Sequence, residues 1–167
     1  GGMSMRAWYD IYSLDRSGRQ DETGIRESAD TLTALVEREH GRGIPYARIV
    51  VAGFSQGGAI ALHMALRSVE PLAGLLALST WLPLADRLEA EVAQGSSARI
   101  TDLPVFLAHG SFDPMLPVAM GYETRERLEG LGITVEWHEY PMMHAVCAEE
   151  IDDISRWLSA VFDSDQL

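Results

Sequence analysis

Arg48-Ile49-Val50-Val51-Ala52-Gly53-Phe54-Ser55-Gln56-Gly57-Gly58 is the stretch that decides the fold. Within residues 48–52 Ile49, Val50 and Val51 are β-branched and Ala52 is apolar, and the stretch, bounded by Tyr46 and Gly53, reads as a buried strand. Gly57 to Val69 follows, with Ile60, Ala61, Met64, Ala65 and Leu66 at helical spacing. Between strand and helix stands G-x-S-x-G, in the context that gives this pattern its meaning. A sharp strand-to-helix turn strains the backbone of its central residue and lifts the Ser55 side chain above the sheet. Glycine on either side lets strand and helix pass close together. The N–H of Gln56 then stands at a helix N-terminus, aimed where an oxyanion could form.

Working outward, three more strands are expected. Gly74 to Ser79 and Pro104 to His109 are continuous apolar runs, and Ile133 to Tyr140 alternates, as a strand nearer a sheet edge does. Helical spacing marks Asp21 to His40, Pro117 to Leu128 and Ile151 to Phe162, with weaker helical character over Leu84 to Val92 and a turn at Gly95-Ser96-Ser97. Strands alternating with helices imply βαβ crossovers: an α/β fold, a mostly parallel sheet with helices on both faces, in one domain over 1–167.

A serine hydroxyl needs a base, and the base needs an orienting acid. On this fold the order along the chain is Ser, then Asp or Glu, then His. The expected acid is Asp113, in His109-Gly110-Ser111-Phe112-Asp113-Pro114, past the end of the third strand. The expected base is His144, in Tyr140-Pro141-Met142-Met143-His144-Ala145, past the end of the fourth. All three residues then share the sheet edge where open α/β sheets bind ligands. The other histidines read as structural: His40 at a helix end, His63 packed on its helix, His109 bracing the Asp113 turn, His138 on a strand face. Cys147 reads as a half-buried thiol, and no Cys/His spacing points to a metal.

Composition narrows the partners. The 167 residues carry 13 basic and 25 acidic side chains, a net charge of −12, and every basic residue is Arg. Without lysine there is no Walker P-loop lysine, Schiff base or Ser-Lys dyad. That acidity makes nucleic acid and anionic membranes poor partners. No apolar run reaches the roughly 20 residues a bilayer span needs. Gly1 to Met5 lacks a basic then apolar leader, so the reading expects no signal peptide, no membrane insertion and a cytoplasmic location.

With these residues in hand, the chain resembles the carboxylesterase and acyl-protein thioesterase family of α/β-hydrolases, also called the phospholipase/carboxylesterase family. The matching stretches are Met5-Arg6-Ala7-Trp8-Tyr9-Asp10, Gly53 to Gly58, Leu78-Ser79-Thr80-Trp81-Leu82-Pro83, His109 to Asp113 and Tyr140 to His144, in family order. The resemblance implies Ser55 as nucleophile, Asp113 as orienting acid, His144 as general base and Gln56 as an oxyanion donor. It also implies that Trp81 and Leu82 line an acyl pocket, although ordinary core packing fits them equally well. No cofactor or metal is implied. Met143 and Ala145 depart from the small residue and serine that flank the histidine in many relatives. A larger departure is at the start: relatives hold their first strands, and a His-Gly loop with a second oxyanion N–H, in a stretch before the segment matching Gly1. The fold is therefore expected to be N-terminally incomplete. Lacking one oxyanion donor costs roughly 10²–10³ in turnover, so weak activity is expected of the chain alone. An uncovered sheet edge invites pairing with a second copy, a homodimer. The function expected is a serine carboxylesterase acting on small-molecule esters or acylated substrates through an acyl-enzyme. The alternatives are an acyl-protein thioesterase or lysophospholipase-type activity, or a catalytically silent hydrolase-like binding module.

Overall fold

The computed structural model describes residues 7–11, 20–93 and 100–163. The turn expected at 95–97 and the Met5-Arg6 start of the first matching stretch lie outside them. Four parallel strands, β1 (Val50–Phe54), β2 (Gly74–Leu78), β3 (Val105–Gly110) and β4 (Val135–Tyr140), stand side by side in chain order. The helices are α1 (Glu22–Gly41), α2 (Gln56–Ala65), α3 (Ala85–Ala93), α4 (Val118–Gly130) and α5 (Ala148–Asp163).

Stepping strand by strand in one direction, with crossovers of one hand, sends every crossover helix to the same face. The side chains agree. Val51, Leu75, Ala77, Val105 and Leu107 point to one face, where they pack with Ile25 and Ala29 of α1, Ile60 and Leu62 of α2, Leu88 of α3 and Leu128 of α4. The alternate residues Leu76, Leu78, Phe106 and Ala108 point to the other face and meet Trp157 of α5. Helices thus cover both faces, which is why β2 and β3 read as unbroken apolar runs: every residue of both is buried. β4 is at the sheet's edge and keeps its alternation, with Val135 and Trp137 packed on the first core and Tyr140 in the second. Among the described residues no strand pairs with the outer side of β1.

Boundaries shift for local reasons. β1 begins at Val50 and runs through Gly53 to Phe54, because Tyr46–Arg48 form a short 3-10 turn and the pairing with β2 extends to Phe54↔Leu78. α2 stops at Ala65, four residues before the expected end. The next N–H groups, of Arg67 and Ser68, reach back three residues to Met64 and Ala65, the Ser68 hydroxyl accepts from Glu70 N–H, and Pro71 has no N–H to continue a helix. α1 opens on Asp21, whose carboxylate accepts from Gly24 N–H at 3.0 Å.

Candidate active site

The C-terminal ends of β1, β3 and β4 each launch one loop residue toward a common point. At the end of β1, Ser55 stands at φ 54°, ψ −125°, a left-handed conformation that L side chains rarely adopt. Neighbours hold it there. Its N–H extends the sheet ladder to Leu78 O at 2.8 Å. Its carbonyl accepts from Ala59 N–H at 3.1 Å and from the Thr80 hydroxyl at 2.7 Å. Gly53 and Gly58 are steric requirements: a Cβ on Gly53 would lie 2.3 Å from Gly57 O, and one on Gly58 would lie 2.8 Å from the Thr80 side chain, whereas one on Gly57, the second glycine of the G-x-S-x-G pattern, would meet Trp8 Nε1 at 3.4 Å, an ordinary contact. Gln56 is the first residue of α2, so its N–H is among the donors with no acceptor within the helix.

The loop after β3 supplies Asp113, whose side chain is fully buried. Its Oδ1 accepts from the N–H groups of Met115 and Leu116 at 2.8 and 2.9 Å. Its Oδ2 lies 2.6 Å from His144 Nδ1. Burial alone would raise this carboxyl's pKa; the bonds from Leu116, His144 and Met115 outweigh it and hold the group below the usual carboxylate range. The carboxylate accepts, so His144 Nδ1 carries a proton, and in the neutral ring Nε2 is an acceptor. Ser55 Oγ lies 2.9 Å from that Nε2. The Phe54 ring sits 4.7 Å from the imidazole, centroid to centroid.

Two backbone bonds join the acid's loop to the base's loop, Ser111 N–H to Tyr140 O at 2.8 Å and Phe112 N–H to Met142 O at 3.0 Å. The structure thus brings Ser55, His144 and Asp113 into one hydrogen-bonded line, with Gln56 beside it. Chemically, this line can take a proton from the serine as it attacks a carbonyl and hold the resulting imidazolium against a buried carboxylate.

Trp81 and Leu82 lie just past the β2 end. Leu82 is in the core, its N–H bonded to the Thr124 hydroxyl at 2.9 Å. Trp81 is half-buried against the same core, edge-on to Tyr9. A cleft of about 420 Å³ lies elsewhere, between α1 and the end of α2; His63, Met64 and Arg67 line it, and Ser55, Trp81 and Leu82 do not. Among the other histidines, His40 stacks on Tyr46, and His138 lies between Glu136 and Asp153. His63 is buried, and burial pushes its pKa down to about 4. Among the described residues no group of three His, Cys, Asp or Glu is arranged to hold a metal ion.

Sequence reasoning missed the Gln56 side chain. Its Oε1 accepts from Trp8 N–H at 3.0 Å and its Nε2 donates to Tyr9 O at 2.6 Å, docking residues 8 and 9 beside the serine turn. No periodicity carries such a contact across 47 residues. Exposed apolar side chains also flank the three residues along the chain: Phe54 beside Ser55 and against the His144 ring, Phe112 and Met115 around Asp113, and Met143 beside His144, the last three exposed by about two thirds (66%, 64% and 65%).

Comparison with known proteins matches the chain to the phospholipase/carboxylesterase family model over residues 1–162. Acyl-protein thioesterase 1 of Mycosarcoma maydis is 42% identical over 174 residues, covering 96% of this chain and 71% of the relative. Acyl-protein thioesterase 1 of Neurospora crassa is 39% identical over 164 residues, covering 95% of this chain and 66% of the relative. The chain therefore spans about two thirds of these relatives' length. Among solved structures, Arabidopsis thaliana SOBER1 superposes with a TM-score of 0.85 at 25% identity, over 95% of this chain and 75% of that one. Zea mays acyl-protein thioesterase 2 gives 0.83 at 27% identity, over 93% and 72%.

Proposed function

We propose that this chain, which belongs to the phospholipase/carboxylesterase family of α/β-hydrolases, is a serine hydrolase that cleaves acyl thioesters and the corresponding oxygen esters by acyl transfer. The observation that carries the reading is the bonded line from Ser55 Oγ through His144 to Asp113, at 2.9 and 2.6 Å. Ser55 attacks the acyl carbonyl as His144 Nε2 accepts its proton, and Asp113 stabilises the imidazolium. The imidazolium returns the proton to the departing thiol or alcohol. Water, deprotonated by the same imidazole, then attacks the acyl carbon; its bond to Ser55 Oγ breaks, the imidazolium returns the proton to Oγ, and the acid leaves. The Gln56 N–H, at the head of α2, is suited to the oxyanion of both steps.

The acyl-thioester reading is supported over a small-ester carboxylesterase by the names of the relatives, and a long acyl chain by the exposed apolar residues next to Ser55, Asp113 and His144 in the chain. Such residues suit a hydrocarbon chain better than a polar acid.

The test is Ser55→Ala assayed on matched long-chain acyl thioesters and oxygen esters, with fluorophosphonate labelling in parallel. The expected loss is at least about 10³-fold in kcat, together with loss of labelling. Unchanged turnover would remove Ser55 from the mechanism. A wild-type chain that binds acyl ligand and forms no acyl-enzyme would be a silent binding module. A preference for short oxygen esters over long thioesters would return the reading to a carboxylesterase.

A further inference from the structure

We infer that His109 is a positioning residue for the proposed reaction: its Nε2–H clamps the 113–116 turn and so fixes the carboxylate that orients His144. The role of the turn rests on the function proposed above; the clamp itself does not.

His109 is fully buried next to the last residue of β3. Its Nε2 lies 2.9 Å from the Leu116 carbonyl. A carbonyl only accepts, so Nε2 carries a proton. Burial keeps the ring's pKa below the usual histidine value, against the opposing pull of the Leu116 bond, so the ring is neutral and Nδ1 is bare. Nδ1 is buried and has no hydrogen-bond partner among the described residues. Only one edge of this imidazole is used.

That edge closes a small circuit. Leu116 gives its N–H to Asp113 Oδ1 at 2.9 Å and receives the His109 proton on its carbonyl. The same Nε2 stands 3.6 Å from Asp113 Oδ2, the oxygen that meets His144, too far for a hydrogen bond. Without the donor, the Leu116 carbonyl loses its partner in a buried site. The turn then relaxes, carrying the Met115 and Leu116 N–H groups away from the carboxylate. Misplacement of that order costs a proton-transfer line far more than it costs substrate binding.

The unused Nδ1 makes the inference testable. The amide nitrogen of glutamine can take the place of Nε2 and still donate, and nothing is lost where Nδ1 was. Leucine fills similar space and donates nothing. In the full chain, His109→Gln is expected to keep kcat within about threefold, whereas His109→Leu loses roughly 10- to 100-fold in kcat with KM little changed. A readout independent of turnover is the downfield proton resonance of His144 Nδ1–H bonded to Asp113, which the Gln variant should retain and the Leu variant should lose. A folded Leu variant with wild-type kcat and an unchanged resonance would overturn the clamp. So would a Gln variant as impaired as the Leu variant. If the Leu variant fails to fold, the Gln variant decides alone: wild-type behaviour supports the clamp and impairment overturns it. Absence of turnover in the wild-type chain would sink the proposed function, while the resonance would still report on the clamp.

Discussion

At the scale of single residues, two of the costly groups among the described residues lead to predictions. One is Ser55, whose backbone conformation is held by the ladder bond to Leu78 and the two bonds to its carbonyl. The other is Glu150, in the first turn of α5, fully buried with neither carboxyl oxygen partnered among the described residues. Burial pushes its pKa up to about 7. Its folded pKa thus lies above its unfolded one. The folded state therefore binds the extra proton, and stability is lost as pH rises from the ordinary carboxyl range toward 7. A glutamine is the permanent stand-in for the protonated acid. Glu150→Gln is expected to flatten the fall in Tm between pH 5 and pH 8, measured by thermal melts across that range. A slope equal to wild type would show that other groups carry it.

At the scale of elements, the β1–α2 junction is a contact between backbones rather than side chains. Gly53→Ala sets a Cβ against a peptide carbonyl, which cannot swing away as a flexible side chain would. The expected cost is about 3 kcal/mol or more, read from urea melts, with fluorophosphonate labelling of Ser55 reduced in whatever folds. This junction was legible in the sequence because G-x-S-x-G couples a steric demand to a residue pattern. The β2 and β3 cores were legible because both faces are covered, so burial leaves an unbroken apolar trace. Asp113 and His144 were placed by a simple rule, that each lies past the end of a strand. What could not be read depends on the third dimension alone. The end of α2 is set by turn bonds around Ser68, the Gln56 amide bridges to a segment far off in sequence, and Phe54 meets His144 only once β1 and the last loop are side by side.

At the scale of the whole molecule, net charge −12 sets a field that every substrate must cross. The mapped surface ion pairs are exposed and contribute little to stability, so the charge matters more for encounter than for folding. Acylated peptides with cationic flanks should therefore show higher kcat/KM than acidic ones at low ionic strength. The gap should close as salt rises toward about 1 M, where the screening length falls to about 3 Å. A difference insensitive to salt would assign the preference to local contacts.

The bonds joining the acid's loop to the base's loop have a mechanical consequence. Imidazole and carboxylate ride on one body, β3 with β4; the serine rides on another, β1 with α2; β2 is the seam between them. Small slippage across that seam leaves the pair's own bond intact and opens only the gap to the hydroxyl. Under gentle denaturing stress, turnover should therefore fade while the spectroscopic marks of the intact imidazole–carboxylate pair persist, making the enzyme a gauge of its own internal alignment.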